Sequence, residues 1–331
     1  MNPRLEVSGL TTTFGGGDST VRAVRGVSLS VDAGATLVLL GESGSGKSVS
    51  ARSILRLYGE SAHITGTVRL EGRDLLTAEE SEMRQIRGRT IGMVPQDPTA
   101  ALDPLRSIGS QISEVLRVHR MTQSRKETRQ RCVELLGLVG IPDPVRVMRS
   151  RPHELSGGMR QRVAIAIAVS CEPDLLIADE PTTALDVTVQ AQVLELFVEL
   201  QQRMGMSLLM VTHDVGVAEE LDGDVAVMYA GVVVESGLAR EILTEPRHPY
   251  TAGLLASLPS PAVRRGQLTV IPGRPPLTGE VGTGCAFAQR CGDVQPQCRT
   301  AEPELVPVLP GRQAACPVVN ETALREKELS A

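Results

Sequence analysis

Short apolar runs alternate with helical patterns along most of the chain. Ala35–Leu40, Leu175–Ala178 and Leu208–Val211 lack the regular polar alternation of a half-buried strand. Uninterrupted apolar strands of this length are typical of a parallel sheet that helices cover on both faces. The pattern therefore predicts an α/β core.

The N-terminal region follows a different pattern. Leu5–Val7, Val27–Val31 and Val68–Leu70 alternate in polarity and are separated by glycine-rich turns. Alternation at a period of two predicts strands with one solvated face. We therefore expect a small antiparallel sheet beside the parallel one.

Between Ser107 and Val139 the hydrophobic period becomes helical. One face of the first predicted helix and one face of the second carry the apolar positions, which are Ile108, Ile112, Val115, Leu116, Cys132, Leu135, Leu136 and Val139. This spacing predicts a helical insertion in the α/β core. After about Glu245 the density of proline and glycine rises, which indicates a domain boundary there.

Composition narrows the class of protein. Only 2% of the 331 residues are aromatic, and the formal net charge is −5. This balance disfavours a surface that binds nucleic acid. No apolar run approaches the length of a membrane span, and the N-terminus lacks a signal-peptide pattern, so we expect a cytosolic chain.

A glycine-rich loop follows the predicted strand Ala35–Leu40 and precedes a predicted helix. In such a loop glycines let backbone N–H groups surround phosphates, lysine neutralises the β- and γ-phosphates, and the serine hydroxyl binds Mg²⁺. A chance match in a glycine-rich turn is the alternative. The predicted ATP-binding residues of this loop are Gly41, Glu42, Ser43, Gly44, Ser45, Gly46, Lys47 and Ser48.

Two acidic residues follow the apolar run Leu175–Ala178. Ligands of open α/β sheets bind at the carboxyl ends of the strands, so we predict that Asp179 holds Mg²⁺ and that Glu180 polarises the attacking water. The alternative is an ordinary helix N-terminus. His213 follows Leu208–Val211 in the same way and is predicted to orient the water; its alternative is a surface histidine.

These motifs, in this order, resemble the ABC ATPase family. The matching segments are the Walker A motif Gly41–Ser48, the Q-loop Gln96, the signature Leu155–Met159, the Walker B motif Leu175–Glu180, the D-loop Ala184–Asp186 and the H-loop His213. The resemblance covers Leu5 to about Leu243. Met159 departs from the glutamine usual in the signature.

The resemblance implies a P-loop ABC ATPase fold: a RecA-like core, an antiparallel β subdomain and a helical subdomain at about 97–170, together at 1–245. It implies that Phe14 stacks on adenine and that Gln96 joins Ser48 and Asp179 at Mg²⁺. It also implies that two subunits bury ATP between them. The residues implied to bind ATP in trans are Ser156, Gly157, Gly158, Met159 and Asp186.

Further segments resemble the branch of this family that powers oligopeptide, dipeptide and nickel importers. They include Leu155–Arg162, Ala178–Thr188 and His248–Thr251. This resemblance implies a pair of membrane-spanning permease subunits, a second, different but homologous ATPase chain, an external solute-binding protein and a place on the cytoplasmic face of the bacterial membrane. Import of nickel or another small solute, and a soluble non-transport ATPase, are the alternatives.

The chain has six cysteines, four of which cluster in the extension at 246–331. In a reducing compartment such a cluster indicates metal ligands more than disulfides. The branch resemblance implies a 4Fe–4S cluster on Cys285, Cys291, Cys298 and Cys316, distant from the ATP site; zinc and unliganded thiols are the alternatives. Cys132 and Cys171 are predicted to be buried structural residues.

Overall fold

The computed structural model describes residues 3–16, 20–183, 185–258, 270–276 and 280–319. The strands are β1 (Leu5–Phe14), β2 (Val21–Val31), β3 (Thr36–Leu40), β4 (Ala62–Leu70), β5 (Arg73–Asp74), β6 (Ile91–Val94), β7 (Leu175–Asp179), β8 (Ser207–Thr212), β9 (Asp224–Tyr229), β10 (Val232–Leu238), β11 (Val306–Leu309) and β12 (Arg312–Ala314). The helices are α1 (Lys47–Ile54), α2 (Glu80–Arg89), α3 (Pro98–Ala101), α4 (Ile108–Val118), α5 (Arg125–Leu138), α6 (Pro144–Val147), α7 (Gly157–Ala168), α8 (Val187–Met204), α9 (Val215–Leu221), α10 (Ala239–Thr244) and α11 (Pro249–Ala256).

The chain divides into two compact units, each built from separated segments. The first unit comprises Met1–Arg4, Val31–Thr36 and Thr77–Val211. The second unit comprises Leu5–Ser30, Leu37–Leu76 and Thr212–Ala331. The second unit thus contains both the glycine-rich loop and the cysteine-bearing extension.

Three parallel strands form the sheet of the first unit. β7 lies between β6 and β8, with Leu175 opposite Ile91 on one side and Ser207 on the other. Every residue of β7 and β8 is buried, because helices cover both faces of a parallel sheet. The sequence prediction of parallel strands is confirmed here.

A run of helices occupies the rest of the first unit. Ser107 caps α4 and Ser124 caps α5, each by accepting a hydrogen bond from a backbone N–H of the first turn. Seven of the eight apolar positions that predicted these helices, including Ile112 and Leu136, are fully buried, and Val115 is half-buried. The predicted helical insertion is confirmed.

The second unit contains an antiparallel sheet in the order β2-β1-β4-β5. β1 pairs with β4 from Leu5 opposite Leu70 to Phe14 opposite Ala62. Val7 and Val68 stand opposite each other and are both buried. The predicted antiparallel sheet is confirmed. Its strands are longer than the alternating segments from which they were predicted.

A second group of strands in this unit connects the glycine-rich loop to the extension. β3 runs parallel to β9, β9 forms a hairpin with β10, and β12 pairs antiparallel with both β10 and β11. The extension therefore adds two short strands to the β3–β9–β10 group. No sequence pattern predicted β11 or β12, because each is too short to show a period.

Candidate nucleotide site

The glycine-rich loop has the backbone geometry that its sequence predicts. It begins where β3 ends, and Lys47 opens α1. Gly46 has a φ of +100°, a conformation that side chains disfavour. A Cβ atom at Gly41 would lie 2.2 Å from the carbonyl oxygen of Met228, so only glycine fits there.

Lys47 lies at the centre of this loop. Its residue is only 3% exposed, and its ammonium donates hydrogen bonds to the carbonyl oxygens of Gly41 at 2.7 Å and Glu42 at 3.0 Å. Ser45 Oγ is buried and has no hydrogen-bond partner among the described residues. Ser43 and Gly44 are exposed, and Ser48 is half-buried. A buried cation within a loop of this shape fits an anionic phosphate ligand.

The acidic pair lies at the end of β7 in the first unit. Asp179 is the last residue of the strand and is completely buried. Glu180 follows with a φ of +46°, and its N–H donates to the carbonyl oxygen of Val211 at 2.9 Å. A non-glycine residue in this left-handed region is strained, and such strain clusters at functional sites.

The Glu180 carboxylate is held by two side chains of its own unit. Its Oε2 accepts hydrogen bonds from Gln96 Nε2 at 3.0 Å and from Thr183 Oγ1 at 3.0 Å. The predicted residues Gln96 and Glu180 are therefore in direct contact. Thr183 was missed, because a threonine beside a strand end carries no pattern of its own.

His213 and Phe14, both in the second unit, lie where the sequence placed them along the chain. His213 is exposed and follows directly after β8. Phe14 is half-buried, and its ring packs edge-on against that of Tyr58 with centroids 4.9 Å apart. The adenine-stacking and water-orienting roles of these residues stay predictions.

The signature segment forms the exposed start of a helix. Ser156 caps α7 by accepting a hydrogen bond from Met159 N at 3.3 Å, and Gly157 is exposed. The helix begins at Gly157, directly after this cap. A Cβ atom at Gly158 would lie 3.0 Å from Val189. Exposed N–H groups at such a helix start favour an anion.

Asp186, the other residue expected to act in trans, caps α8. Its Oδ1 accepts a hydrogen bond from Val189 N at 3.0 Å, and the residue is exposed. Val187, which follows it, is 85% exposed. Ala184, the first residue of the expected D-loop, lies outside the described residues.

The four clustered cysteines are all free thiols, and two of them, Cys298 and Cys316, are buried. Cys285 N donates to the carbonyl oxygen of Cys298 at 2.8 Å. Burial raises the pKa of Cys285, and the neighbouring charges of the other three thiols raise it further. The structure therefore brings the four cysteines into one cluster.

This cluster does not have the geometry of a ligand set. Across the described ranges, no group of three or more histidine, cysteine, aspartate or glutamate side chains is placed to hold a metal ion. The predicted metal centre is thus not supported by the structure. Cys132 and Cys171 are buried, as predicted.

Arg290, in the cysteine-bearing extension, contacts the glycine-rich loop, hereafter also called the phosphate loop. Its guanidinium donates to Glu42 Oε2 at 2.8 Å and to Glu42 Oε1 at 3.3 Å. Arg290 directly precedes Cys291, so the cysteine-bearing segment reaches the glycine-rich loop through this side chain. Sequence analysis missed it because 248 residues separate the two side chains.

Comparison with known families agrees with these motifs. The model of the family described as ABC transporter matches residues 24–183, and that of the oligopeptide/dipeptide transporter C-terminal region matches residues 234–298. Within the described residues, no helix is both long and apolar enough to cross a membrane.

Curated relatives align with nearly the whole chain. The oligopeptide transport ATP-binding protein OppD of Mycobacterium tuberculosis is 48% identical over 96% of this chain, which spans 52% of that protein. A putative peptide import ATP-binding protein of Brucella melitensis is 49% identical over 92% of this chain and 94% of its own length. AppD of Bacillus subtilis, an oligopeptide transport ATP-binding protein, is 46% identical over 96% of this chain and 97% of its own length. The chain therefore spans about half the length of the mycobacterial relative and nearly all of the other two.

A solved structure shares the fold. A dimeric ATP-binding cassette in a post-hydrolysis state, bound to ADP and Pi, superposes with a TM-score of 0.64 and 29% sequence identity, covering 71% of this chain and 99% of that one. Together with the phosphate loop, the Gln96–Glu180 contact and the capped signature helix, these matches show that the chain belongs to the ABC transporter ATPase family.

Proposed function

We propose that this chain binds and hydrolyses Mg-ATP and thereby energises an importer of oligopeptides or dipeptides. The observation that carries the proposal is the buried Lys47 ammonium inside a loop where positions 41 and 46 accept only glycine. The names of the relatives, which are peptide import and oligopeptide transport ATP-binding proteins, support the solute class.

The residues have distinct roles in this proposal. Lys47 would neutralise phosphate charge, and Ser48, Asp179 and Gln96 are the proposed Mg²⁺ ligands. The metal ion supplies neutralisation of the charge that develops on phosphate oxygens. Glu180 is the base that polarises water. Gln96 and Thr183 donate hydrogen bonds to its carboxylate and thereby orient it.

A second ATPase subunit completes the proposed site. Ser156 and Gly157 lie exposed at a helix start, and Val187 offers an apolar contact beside Asp186. Such a surface fits a partner chain that presents bound nucleotide, and the related solved cassette is dimeric. Under this proposal Ser156, Gly157, Gly158, Met159 and Asp186 bind the partner's ATP.

The remaining assignments follow from the importer role. The partners are two membrane-spanning permease subunits, a second ATPase chain and, indirectly, an external solute-binding protein, at the cytoplasmic face of the membrane. Residues 1–245 form the nucleotide-binding domain and 246–331 the extension, of which 259–269, 277–279 and 320–331 lie outside the described part of the chain. Nickel or another small solute is the alternative cargo.

Two substitutions test the ATPase role. Lys47→Ala removes the main counter-charge of the phosphates and should abolish tight ATP binding. Glu180→Gln should keep ATP binding and lower turnover by about 10²-fold or more, with a closed dimer trapped in ATP. Wild-type turnover in either variant would sink the assignment.

The importer role and its cargo need the assembled system. With the permease pair in liposomes, ATP turnover should rise when the solute-binding protein is loaded with a peptide. Stimulation by a nickel-loaded receptor alone would favour the alternative cargo. Activity indifferent to the permease would favour a soluble ATPase.

The metal centre remains a finer proposal on Cys285, Cys291, Cys298 and Cys316. It rests on the four free cysteines of the extension, whose side chains the structure does not arrange as a ligand set. Metal and sulfide analysis of anaerobically purified protein tests it. Iron with sulfide supports the 4Fe–4S cluster, and stoichiometric zinc supports a zinc site. The absence of both metals would refute a metal centre.

A further inference from the structure

The contact between Arg290 and Glu42 joins the cysteine-bearing extension to the phosphate loop. Both guanidinium Nη atoms face the two carboxylate oxygens, in the forked arrangement that is strongest for arginine. The Arg290 side chain is 6% exposed and that of Glu42 is 25% exposed. A pair this sheltered from water is screened less than a surface pair.

The position of Arg290 does not depend on Glu42 alone. Arg290 Nε donates to the carbonyl oxygen of Pro272 at 2.9 Å, and Nη1 also donates to Tyr229 Oη at 3.3 Å. The guanidinium carbon lies 5.8 Å from the centroid of the Tyr229 ring. Burial alone would lower the pKa of Arg290, but its hydrogen bonds to Glu42 and Tyr229 raise it overall. The cation is thus fixed by the extension and by β9.

Glu42 is in turn tied to the phosphate-binding lysine. The Glu42 N–H donates to Tyr250 Oη at 2.9 Å, and the Glu42 carbonyl oxygen accepts from Lys47 Nζ at 3.0 Å. Tyr250 is fully buried and packs against Tyr229 and Phe287, with ring centroids 4.6 Å and 5.5 Å away. An aromatic cluster therefore holds the backbone of Glu42 while Arg290 holds its carboxylate.

The charge of Glu42 makes this contact matter for nucleotide. A carboxylate inside a phosphate loop repels the triphosphate, and the repulsion is strong where the site is partly shielded from water. Arg290 cancels that charge and holds both carboxylate oxygens in its fork. We propose that Arg290 is a positioning residue of the phosphate loop, through which the extension sets the affinity for ATP.

This inference rests on the ATP-binding role proposed above and adds a dependence on the extension. Arg290 precedes Cys291 directly, so a disturbance of the cysteine cluster should lower ATP affinity.

A double-substitution cycle on the full-length chain tests the proposal. Equilibrium ATP binding and steady-state turnover are measured for Arg290→Gln, Glu42→Gln and the double variant. Arg290→Gln should weaken ATP binding about tenfold and raise KM for ATP, while kcat at saturating ATP changes little. The double variant should recover most of that loss, because no uncompensated carboxylate remains in the loop.

Two further variants separate positioning from folding. Arg274→Gln is the matched control: Arg274 also lies in the extension and pairs with a glutamate, Glu280, but it is exposed, so ATP affinity should not change. Arg290→Lys keeps the charge without the fork and should lose less affinity than Arg290→Gln. It also decides the matter if Arg290→Gln does not fold.

The outcomes are distinguishable. Wild-type ATP affinity in folded Arg290→Gln, or equal losses in the single and double variants, would overturn the positioning role. If Lys47→Ala still binds ATP normally, the proposed function fails instead. Loss of binding in Lys47→Ala together with rescue by Glu42→Gln supports both.

Discussion

Two buried arginine–glutamate pairs attach the extension to the β3–β9–β10 region, and they differ in what surrounds the carboxylate. Arg312 and Glu235 have side chains that are 3% and 1% exposed, and their N–O distance is 3.0 Å. Arg290 and Glu42 are 6% and 25% exposed at 2.8 Å. The chemistry is the same, but only the second pair lies beside a ligand site.

The hydrogen bonds of the two carboxylates show the difference in role. Glu235 accepts from Arg312 Nη2 and from the backbone N–H groups of Arg247 and His248, all of which are structural. Glu42 belongs to the loop that carries Lys47. We therefore expect breakage of the first pair to be measured as lost stability, and breakage of the second as lost ATP affinity.

The largest effect is expected from the fully buried pair. Arg312→Met leaves the Glu235 carboxylate buried without its counter-charge and should lower the free energy of unfolding by about 3–5 kcal/mol. Urea unfolding measures this loss, and the ATP affinity of the folded fraction should stay unchanged. The Glu235→Met, Arg312→Met double variant should be more stable than Arg312→Met. A loss below about 1 kcal/mol would remove the contrast between the pairs.

Low pH should weaken the attachment around Glu235, because His248, whose backbone N–H donates to Glu235, is buried. Burial lowers the pKa of His248 to about 4, so the unfolded chain binds a proton that the folded chain refuses between pH 6.5 and about 4. The contribution of neutral His248 to the free energy of unfolding should therefore be fully present above pH 6.5. It should be lost as the pH drops towards 4, by up to about 3 kcal/mol. Thermal unfolding at stepped pH measures it.

The control for the pH experiment removes the His248 imidazole and keeps the hydrogen bond that it accepts. His248 Nδ1 accepts from Tyr250 N at 3.0 Å and so caps α11. An asparagine accepts in the same way without titrating, so His248→Asn should flatten this part of the pH profile. An unchanged profile would assign the acid sensitivity to other groups.

The smallest effect is expected at Tyr229, which contacts Arg290 and belongs to the aromatic cluster with Tyr250 and Phe287. Tyr229→Phe removes the hydroxyl that accepts from Arg290 at 3.3 Å but keeps the ring contacts with Tyr250 and Phe287. We expect a loss of about 0.5–1.5 kcal/mol of stability and a loss of ATP affinity smaller than that of Arg290→Gln. Calorimetric titration with ATP measures the affinity. An affinity loss equal to that of Arg290→Gln would mean that Tyr229, and not Glu42, transmits the effect.

Features written in contiguous residues were predictable from the sequence. The strands at Leu175–Asp179 and Ser207–Thr212 and the glycine loop before Lys47 appear where expected, because local backbone preference and hydrophobic period determine them. The helix start at Gly157 is decided by the Ser156 cap and not by the apolar period. The four cysteines were expected to share one centre; they do cluster, but spacing along the chain did not determine the positions of the sulfur atoms.

The sequence by itself determined the family, the phosphate loop and the identity of the acidic pair, because each depends on residues a few positions apart. The tertiary structure alone decided that Thr183 and Gln96 hold Glu180, that β12 joins β10, and that Arg290 reaches Glu42. Contacts across 248 residues arise from how the strands assemble, and no local pattern in either segment encodes the partner. The contact between the extension and the glycine-rich loop therefore became visible only in the folded chain.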